Sequence, residues 1–353
     1  RRGEIASCGI GPVFAREDRP DAIWRDLMTD PIRWGVVGAS NFAQTTMARA
    51  IHLAKGAKLA ALATSNPAKA KGFTDFAPDL RVEDTYDSLL SAEDIDAIYV
   101  PLPNHLHVEW VIRALKAGKH VLCEKPIAMQ ESDFDAMIEA RDAAGKLAAE
   151  AFMIVHHPQW QRARALLSDG AIGRLRHVES VFSYNNPDPS NVRNRSGMGG
   201  GGLRDIGVYT FGAARFATGE EPEEMSAIAE FEQDFDVYAE VRARFPSFTF
   251  HSLISTRIAP RQRVVFHGEG GTIELTAPFN AGTFDQAELI VETSATARTV
   301  ERWPGVNQYV RQVEAFVQSV QAGDTYLWTL ENAKGTQAMI DSAIRLGREH
   351  ANR

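Results

Sequence analysis

A lysine at a strand end and a glycine turn far upstream are the residues best placed to do chemistry. His120-Val-Leu-Cys123 is an apolar run that closes on Glu124-Lys125-Pro126. The proline pushes Lys125 out of helical geometry into an extended one, so Lys125 ends the strand. In open α/β sheets ligands bind beyond the carboxyl ends of the strands, which puts a lone ammonium where a substrate meets a cofactor. The turn reads Gly38-Ala-Ser40-Asn41-Phe42-Ala43, a degenerate form of the dinucleotide pattern G-x-G-x-x-G/A. Gly38 permits the sharp bend, and Ala43 is small enough for helix–strand packing. Ser40 stands where the second glycine belongs, and its hydroxyl is a donor for phosphate. Asn41 and Phe42 complete the loop, and the helix behind them offers free N–H groups and a positive dipole end. An ordinary strand–helix turn is the competing reading; the position after a first strand favours the cofactor.

The second strand ends in Thr64-Ser65-Asn66, and the first acid downstream is Asp75. An acid at this strand end would hold the ribose 2′-hydroxyl of NAD. Here Thr64, Ser65 and Asn66 can donate to a 2′-phosphate, and Lys69 lies just beyond. NADP(H) is therefore expected, with NAD(H) as the alternative. Pro101-Leu-Pro103-Asn104-His105 is a stiff loop after the third strand, with Pro101, Asn104 and His105 expected to wall the nicotinamide site. His107 is expected to cap or pack the helix it opens.

Asp205 and Tyr209 follow the run Gly199–Gly202 and stand four apart, on one side of a helix. A phenol is a usable general acid or base where a nearby cation lowers its pKa. A first-turn helix acid and a packed aromatic are the alternative, and the spacing alone leaves both open. His156 and His157 mark a hinge, and His157 is a candidate for lining a substrate cleft. Asn191 and Arg193 precede the glycine run, where Arg193 is a candidate for holding a polyhydroxylated substrate. No metal-ligand spacing is present.

These residues need particular elements to position them. Residues 1–30 are polar and read as an arm, with a short helix after Asp21. Ile32–Val37, Lys58–Ala63, Asp96–Val100, His120–Glu124 and Leu147–Phe152 read as strands. Helices to about Lys55, from Pro67, over His107–Lys116 and over Glu131–Ala144 alternate with them. Such alternation specifies a parallel sheet with helices on both faces, over 31–152. Residues 153–353 read differently. After one helix behind Pro158 come seven runs of β character with short turns: Leu175–Tyr184, Met225–Phe235, Tyr238–Phe245, Thr249–Thr256, Arg263–Gly268, Thr272–Thr276 and Glu288–Glu292. They imply a large, mostly antiparallel sheet. Helices return at Val306–Val320 and from Leu330, and Ala333, Ile340 and Ile344 give the last one a packing face.

The bulk numbers exclude several classes. With 353 residues, two domains are expected. A net charge of −8 leaves no basic footprint for nucleic acid. No apolar run reaches the ~18–20 residues of a membrane span, and no secretory signal stands at the start. Two cysteines, Cys8 and Cys123, suit a reducing, cytoplasmic setting.

Taken together, the Gly38–Ala43 turn, Glu124-Lys125-Pro126, Glu150-Ala-Phe-Met with His157-Pro158, and Gly199–Gly202 leading to Asp205-Ile-Gly-Val-Tyr209 resemble the Gfo/Idh/MocA oxidoreductases. The resemblance runs from about Ile32 to the C-terminus. Tyr209 resembles the branch with dihydrodiol dehydrogenases, NADP-dependent xylose dehydrogenases and glucose–fructose oxidoreductase. Trp34-Gly-Val-Val-Gly-Ala-Ser40 is similar to the start of 1,5-anhydrofructose reductases. The resemblance implies a Rossmann domain plus an open antiparallel sheet whose outer face is buried in a homodimer or higher homo-oligomer. It also implies Lys125 as the essential lysine, with Tyr209 and Asp205 beside it, acting on a sugar or diol. A keto-sugar reductase and a catalytically silent NADP-binding regulator are the alternatives.

Overall fold

The computed structural model describes residues 30–195, 197–282, 287–294 and 296–352. The arm, its helix after Asp21 and Cys8 lie outside them. Six short strands form the first sheet: β1 (Ile32–Val37), β2 (Ala57–Ala63), β3 (Arg81–Glu83), β4 (Ala97–Val100), β5 (His120–Cys123) and β6 (Ala148–Glu150). Their order is β3-β2-β1-β4-β5-β6, all parallel. Ala97-Ile-Tyr-Val100 is buried throughout, as a strand covered on both faces requires. The winding reverses between β1 and β4, so the crevice lies where Gly38 and Pro101 follow those strands.

Helices α1 (Ala48–Leu53), α2 (Pro67–Thr74), α3 (Tyr86–Ser91), α4 (His107–Lys116) and α5 (Asp133–Ala144) connect these strands. Sequence reading missed β3 and α3. Arg81-Val-Glu83 is a polar three-residue edge strand, too short and too charged to show alternation. The first helix also opens differently from expectation, with a π turn over Ala43–Met47 before α1.

After α6 (Pro158–Ser168), eight strands build the second sheet: β7 (Leu175–Asn185), β8 (Glu224–Glu232), β9 (Phe235–Arg244), β10 (Thr249–Ser255), β11 (Arg257–Gly268), β12 (Thr272–Leu275), β13 (Glu288–Ser294) and β14 (Ala297–Arg302). Their order is β14-β13-β12-β11-β7-β10-β9-β8. The β7–β10 pair is parallel and the other pairs are antiparallel. The outermost strand, β14, had no apolar signal, because its residues are almost all exposed.

Helix α7 (Val208–Thr218) is buried along nearly its whole length and packs on α6 and β7. Helices α8 (Gln308–Ala322) and α9 (Leu330–Ala351) complete the chain. The expected apolar face of α9 is largely buried, with Ala333 and Ile340 fully so. Its start also returns to the first sheet: Thr329 bridges Ala149, Glu331 pairs with Arg141, and Lys334 with Asp135. Among the described residues no helix is long and apolar enough to cross a membrane.

Candidate active site

Lys125 leaves the end of β5 and meets Asp205. Its Nζ donates to the Asp205 carbonyl at 2.8 Å and to Oδ1 at 3.0 Å. Arg193 Nε lies 2.8 Å from the same Oδ1, and the Tyr184 hydroxyl donates to Oδ2 at 2.7 Å. Burial opposes charge on this carboxyl, but Arg193, Lys125 and the Tyr184 hydrogen bond outweigh it and hold Asp205 far below the usual carboxylate range. Burial and the Asp205 charge push the Tyr184 phenol up in turn. The structure thus gathers Lys125, Asp205 and Arg193, and adds Tyr184, which sequence reading missed. Tyr184 closes a β run as one aromatic among several, and only its contact with Asp205 across the fold sets it apart.

Tyr209 lies beneath this ion pair. The Lys125 Nζ stands 4.8 Å from its ring centroid, over the face. Phe152, Phe182 and Phe279 surround the ring at 5.8, 5.6 and 5.7 Å. The hydroxyl donates to Met153 Sδ at 3.6 Å. The expectation that a cation lowers this phenol is not met. Burial, then the neighbouring Tyr309, Glu124 and Asp205, push it well above its ordinary value. The ammonium is neutralised by Asp205 and faces the ring rather than the hydroxyl. The even helical turn expected between Asp205 and Tyr209 is also absent. Leu203–Gly207 is a π turn, and through it both residues flank one ammonium.

The glycine run is held by a residue that sequence reading missed. Asp236, buried at the start of β9, accepts the Leu203 N–H at 2.7 Å. Gly201 adopts φ +114°, and a Cβ there would come within 2.4 Å of Asp236 Oδ1. Burial pushes the Asp236 carboxyl up to about 6. An acid inside the apolar run Phe235-Asp-Val237 was the available signal. On the other side, Asn104 Nδ2 donates to the Gly199 carbonyl at 3.1 Å, joining the loop after β4 to the run. Pro101 in that loop is buried and His105 is exposed.

At the fingerprint turn Gly38 has φ +98°, and a Cβ would stand 2.9 Å from Leu102 Cδ2, so only glycine fits. Ser40 Oγ accepts the Ala43 N–H at 3.1 Å, so it caps the turn. Asn41 and Phe42 are exposed at the helix's open end, and the Phe42 ring meets Tyr309 edge-on at 5.7 Å. At the end of β2, Thr64 Oγ1 accepts the Asn66 N–H and Asn66 Oδ1 caps α2 through Ala68. Both side chains therefore serve the turn, while Ser65 and Lys69 are exposed beyond it. Bare glycine, exposed polar residues and an open helix end suit a dinucleotide.

Glu124 accepts the Tyr99 hydroxyl at 2.7 Å, and burial pushes its carboxyl up. Glu150 accepts the Ile127 N–H through Oε1 and the Trp328 indole through Oε2, both at 3.0 Å. His107 does more than cap or pack its helix: both ring nitrogens face backbone carbonyls, those of Pro126 and Leu102. His157 corrects its expectation. It is fully buried, its Nδ1 accepts the Gln159 N–H at 3.1 Å, and it caps α6 rather than lining a cleft. Burial alone pushes its imidazole down to about 4. Asn191 likewise caps the turn before the glycine run by accepting the Arg193 N–H at 3.0 Å. Among the described residues no cluster could hold a metal ion.

A parallel sheet with a glycine turn at its switch point, and a lysine–carboxylate–tyrosine cluster at the strand ends beyond, defines an oxidoreductase of the dinucleotide-binding kind. Residues 32–152 match the family model described as the oxidoreductase family, NAD-binding Rossmann fold, of Gfo/Idh/MocA. Residues 160–274 match the Gfo/Idh/MocA C-terminal domain. The chain is 31% identical to a dTDP-3,4-didehydro-2,6-dideoxy-α-D-glucose 3-reductase of Actinomadura kijaniata, over 90% of this chain and 96% of that one. It is 28% identical to D-xylose 1-dehydrogenase (NADP(+)) 2 of Haloferax volcanii, over 88% and 95%. A crystal structure of a 3-ketoreductase from Actinomadura kijaniata with NADP and TDP-benzene superposes with a TM-score of 0.82 at 29% identity, covering 90% and 98% of the two chains. This chain belongs to the Gfo/Idh/MocA oxidoreductase family.

Proposed function

We propose that the protein transfers hydride between NADP(H) and the carbon of a sugar or vicinal-diol group, interconverting CH–OH and C=O. The observation that carries this reading is the Lys125 ammonium fixed on Asp205 above the Tyr209 ring, at the carboxyl edge of the parallel sheet. The nicotinamide supplies or accepts the hydride when bound. An ammonium has three donors. Two go to Asp205, which leaves one for the substrate oxygen, where it stabilises a developing alkoxide. Tyr209 carries the proton to or from that oxygen. Arg193, half-exposed beside Asp205, binds a further hydroxyl. The exposed Ser65 and Lys69, with no carboxylate at the end of β2, support NADP(H) over NAD(H).

A second reading is reduction of a keto-sugar, the same hydride transfer run toward the alcohol, in which the Tyr209 phenol gives the proton. The Actinomadura relative, named a 3-reductase, supports the same direction. Division of the chain at Phe152 into cofactor and substrate halves, pairing of copies through the second sheet, and a cytoplasmic setting complete the proposal.

The first experiment is titration of NADPH and NADH by quenching of tryptophan fluorescence, followed by turnover on a panel of aldoses, diols and keto-sugars. NADPH preference with turnover of a panel member is expected. Binding of neither nucleotide would overturn the reading.

A further inference from the structure

We infer that His107 is a positioning residue for Lys125, acting through the carbonyl of Pro126; this deepens the reading above and rests on Lys125 meeting the substrate oxygen. His107 opens α4 and is fully buried. Its Nδ1 lies 2.8 Å from the Pro126 carbonyl oxygen, and its Nε2 lies 2.7 Å from that of Leu102. Carbonyl oxygens only accept, so each contact is a hydrogen bond only where the facing nitrogen carries a proton. A neutral ring satisfies one of the two and a charged ring both.

The two carbonyls are not equivalent. Leu102 sits between Pro101 and Pro103, whose rings fix φ, and the Leu106 N–H closes that loop on the Pro103 carbonyl at 2.9 Å. That loop thus has constraints of its own besides the His107 contact. Pro126 is the direct neighbour of Lys125 and has no N–H. Its carbonyl is therefore the hydrogen-bonding group by which the backbone can be gripped at that residue. The next residue is gripped from another side, where Glu150 Oε1 accepts the Ile127 N–H at 3.0 Å. The backbone beyond Lys125 thus runs between a buried imidazole and a buried carboxyl, while the far end of the side chain is fixed by Asp205. Burial pushes the His107 imidazole down, as do the nearby charges of His105 and Lys125, while the two carbonyls pull it up. The proton that matters to Lys125 is the one on Nδ1.

Two substitutions separate the contacts. His107→Asn places an amide nitrogen near the Nδ1 position and keeps the donor to Pro126. His107→Gln reaches toward the Nε2 position and keeps only the donor to Leu102. Turnover by H107N is expected to stay within about threefold of wild type, while H107Q loses on the order of 10–100-fold in kcat with NADPH affinity retained, since a small misplacement of a catalytic group costs that much. Crystal structures of the two variants give a reading independent of activity: the Lys125–Asp205 contact persists in H107N and is displaced in H107Q. Ring-nitrogen NMR of wild-type protein carrying ¹⁵N-histidine is expected to show a proton on His107 Nδ1, and it decides the matter if H107Q does not fold. A bare Nδ1, an undisturbed Lys125 in H107Q, or equal impairment of both variants would overturn the inference. Loss of the broader functional reading looks different: Lys125→Met would then retain turnover, while Lys125 would still move in H107Q.

Discussion

Lys125 Nζ grips Asp205 twice, through the backbone carbonyl at 2.8 Å and the carboxylate at 3.0 Å. A lysine tied to both main chain and side chain of one residue has little freedom, so its remaining donor is preorganised. Replacing Lys125 with Met keeps much of the stem and removes the donor. The kcat is expected to fall on the order of 10²–10³-fold, as for loss of one oxyanion donor. NADPH affinity by fluorescence titration should change only slightly, since the glycine turn proposed to take the phosphates follows β1 rather than β5. Near-normal turnover would remove Lys125 from the reaction.

Tyr209→Phe tests the phenol apart from the ring. The ring packs against Phe152, Phe182 and Phe279, and the hydroxyl's hydrogen-bond partner among the described residues is a thioether. Stability should therefore be nearly unchanged, while kcat drops by roughly 10²–10⁴-fold for loss of a general acid. Thermal unfolding and steady-state kinetics on one preparation decide it. A variant that loses stability but not turnover would assign Tyr209 to packing alone.

The sequence showed the sheets through their apolar runs, and the glycine turn and Lys125 through local rules about glycine and proline. Elements without an apolar face, such as β3 and β14, left no trace. The candidate site was legible where a proposed role sits beside a backbone constraint, as at Gly38 and Pro126. It was illegible where a role depends on register across the fold. Tyr184 acquires its place from its contact with Asp205, and Asp236 from its contacts with Gly201 and Leu203. His157 shows the converse: its place at a hinge suggested a ligand, but the helix opened by Pro158 needed a cap, and the imidazole supplies it. Tyr209 lies beside Lys125, but the lowering of its phenol expected from that cation is absent: burial and nearby groups push it up, and the ammonium is paired with Asp205.

Cofactor choice turns on the end of β2. Ser65 is exposed there, whereas Thr64 and Asn66 are committed to the turn. Ser65→Asp introduces the carboxylate that would repel a 2′-phosphate and accept from a 2′-hydroxyl. NADPH is expected to bind at least tenfold more weakly, an electrostatic cost of about 1.4 kcal/mol or more, while NADH holds or gains. Parallel titrations of both nucleotides measure the ratio. An unchanged ratio would place the 2′ position elsewhere.

Asp236 predicts a pH dependence of stability. Its carboxyl is pushed from an ordinary 3.8 to about 6 by burial. Between those values the folded chain binds a proton that the unfolded chain has released, so this residue's contribution is full below about 4 and is lost as pH rises through about 6. That difference corresponds to roughly 3 kcal/mol. Asp236→Asn retains an oxygen for the Leu203 N–H and does not titrate. It adds a constant offset from its amide hydrogens but no slope. Urea unfolding of both proteins from pH 4 to pH 7.5 should show the wild type losing stability relative to D236N across the window. Two profiles that run parallel would mean that Asp236 is an ordinary carboxylate, ionised in both states, and that the glycine run is anchored by a full negative charge at the head of its helix.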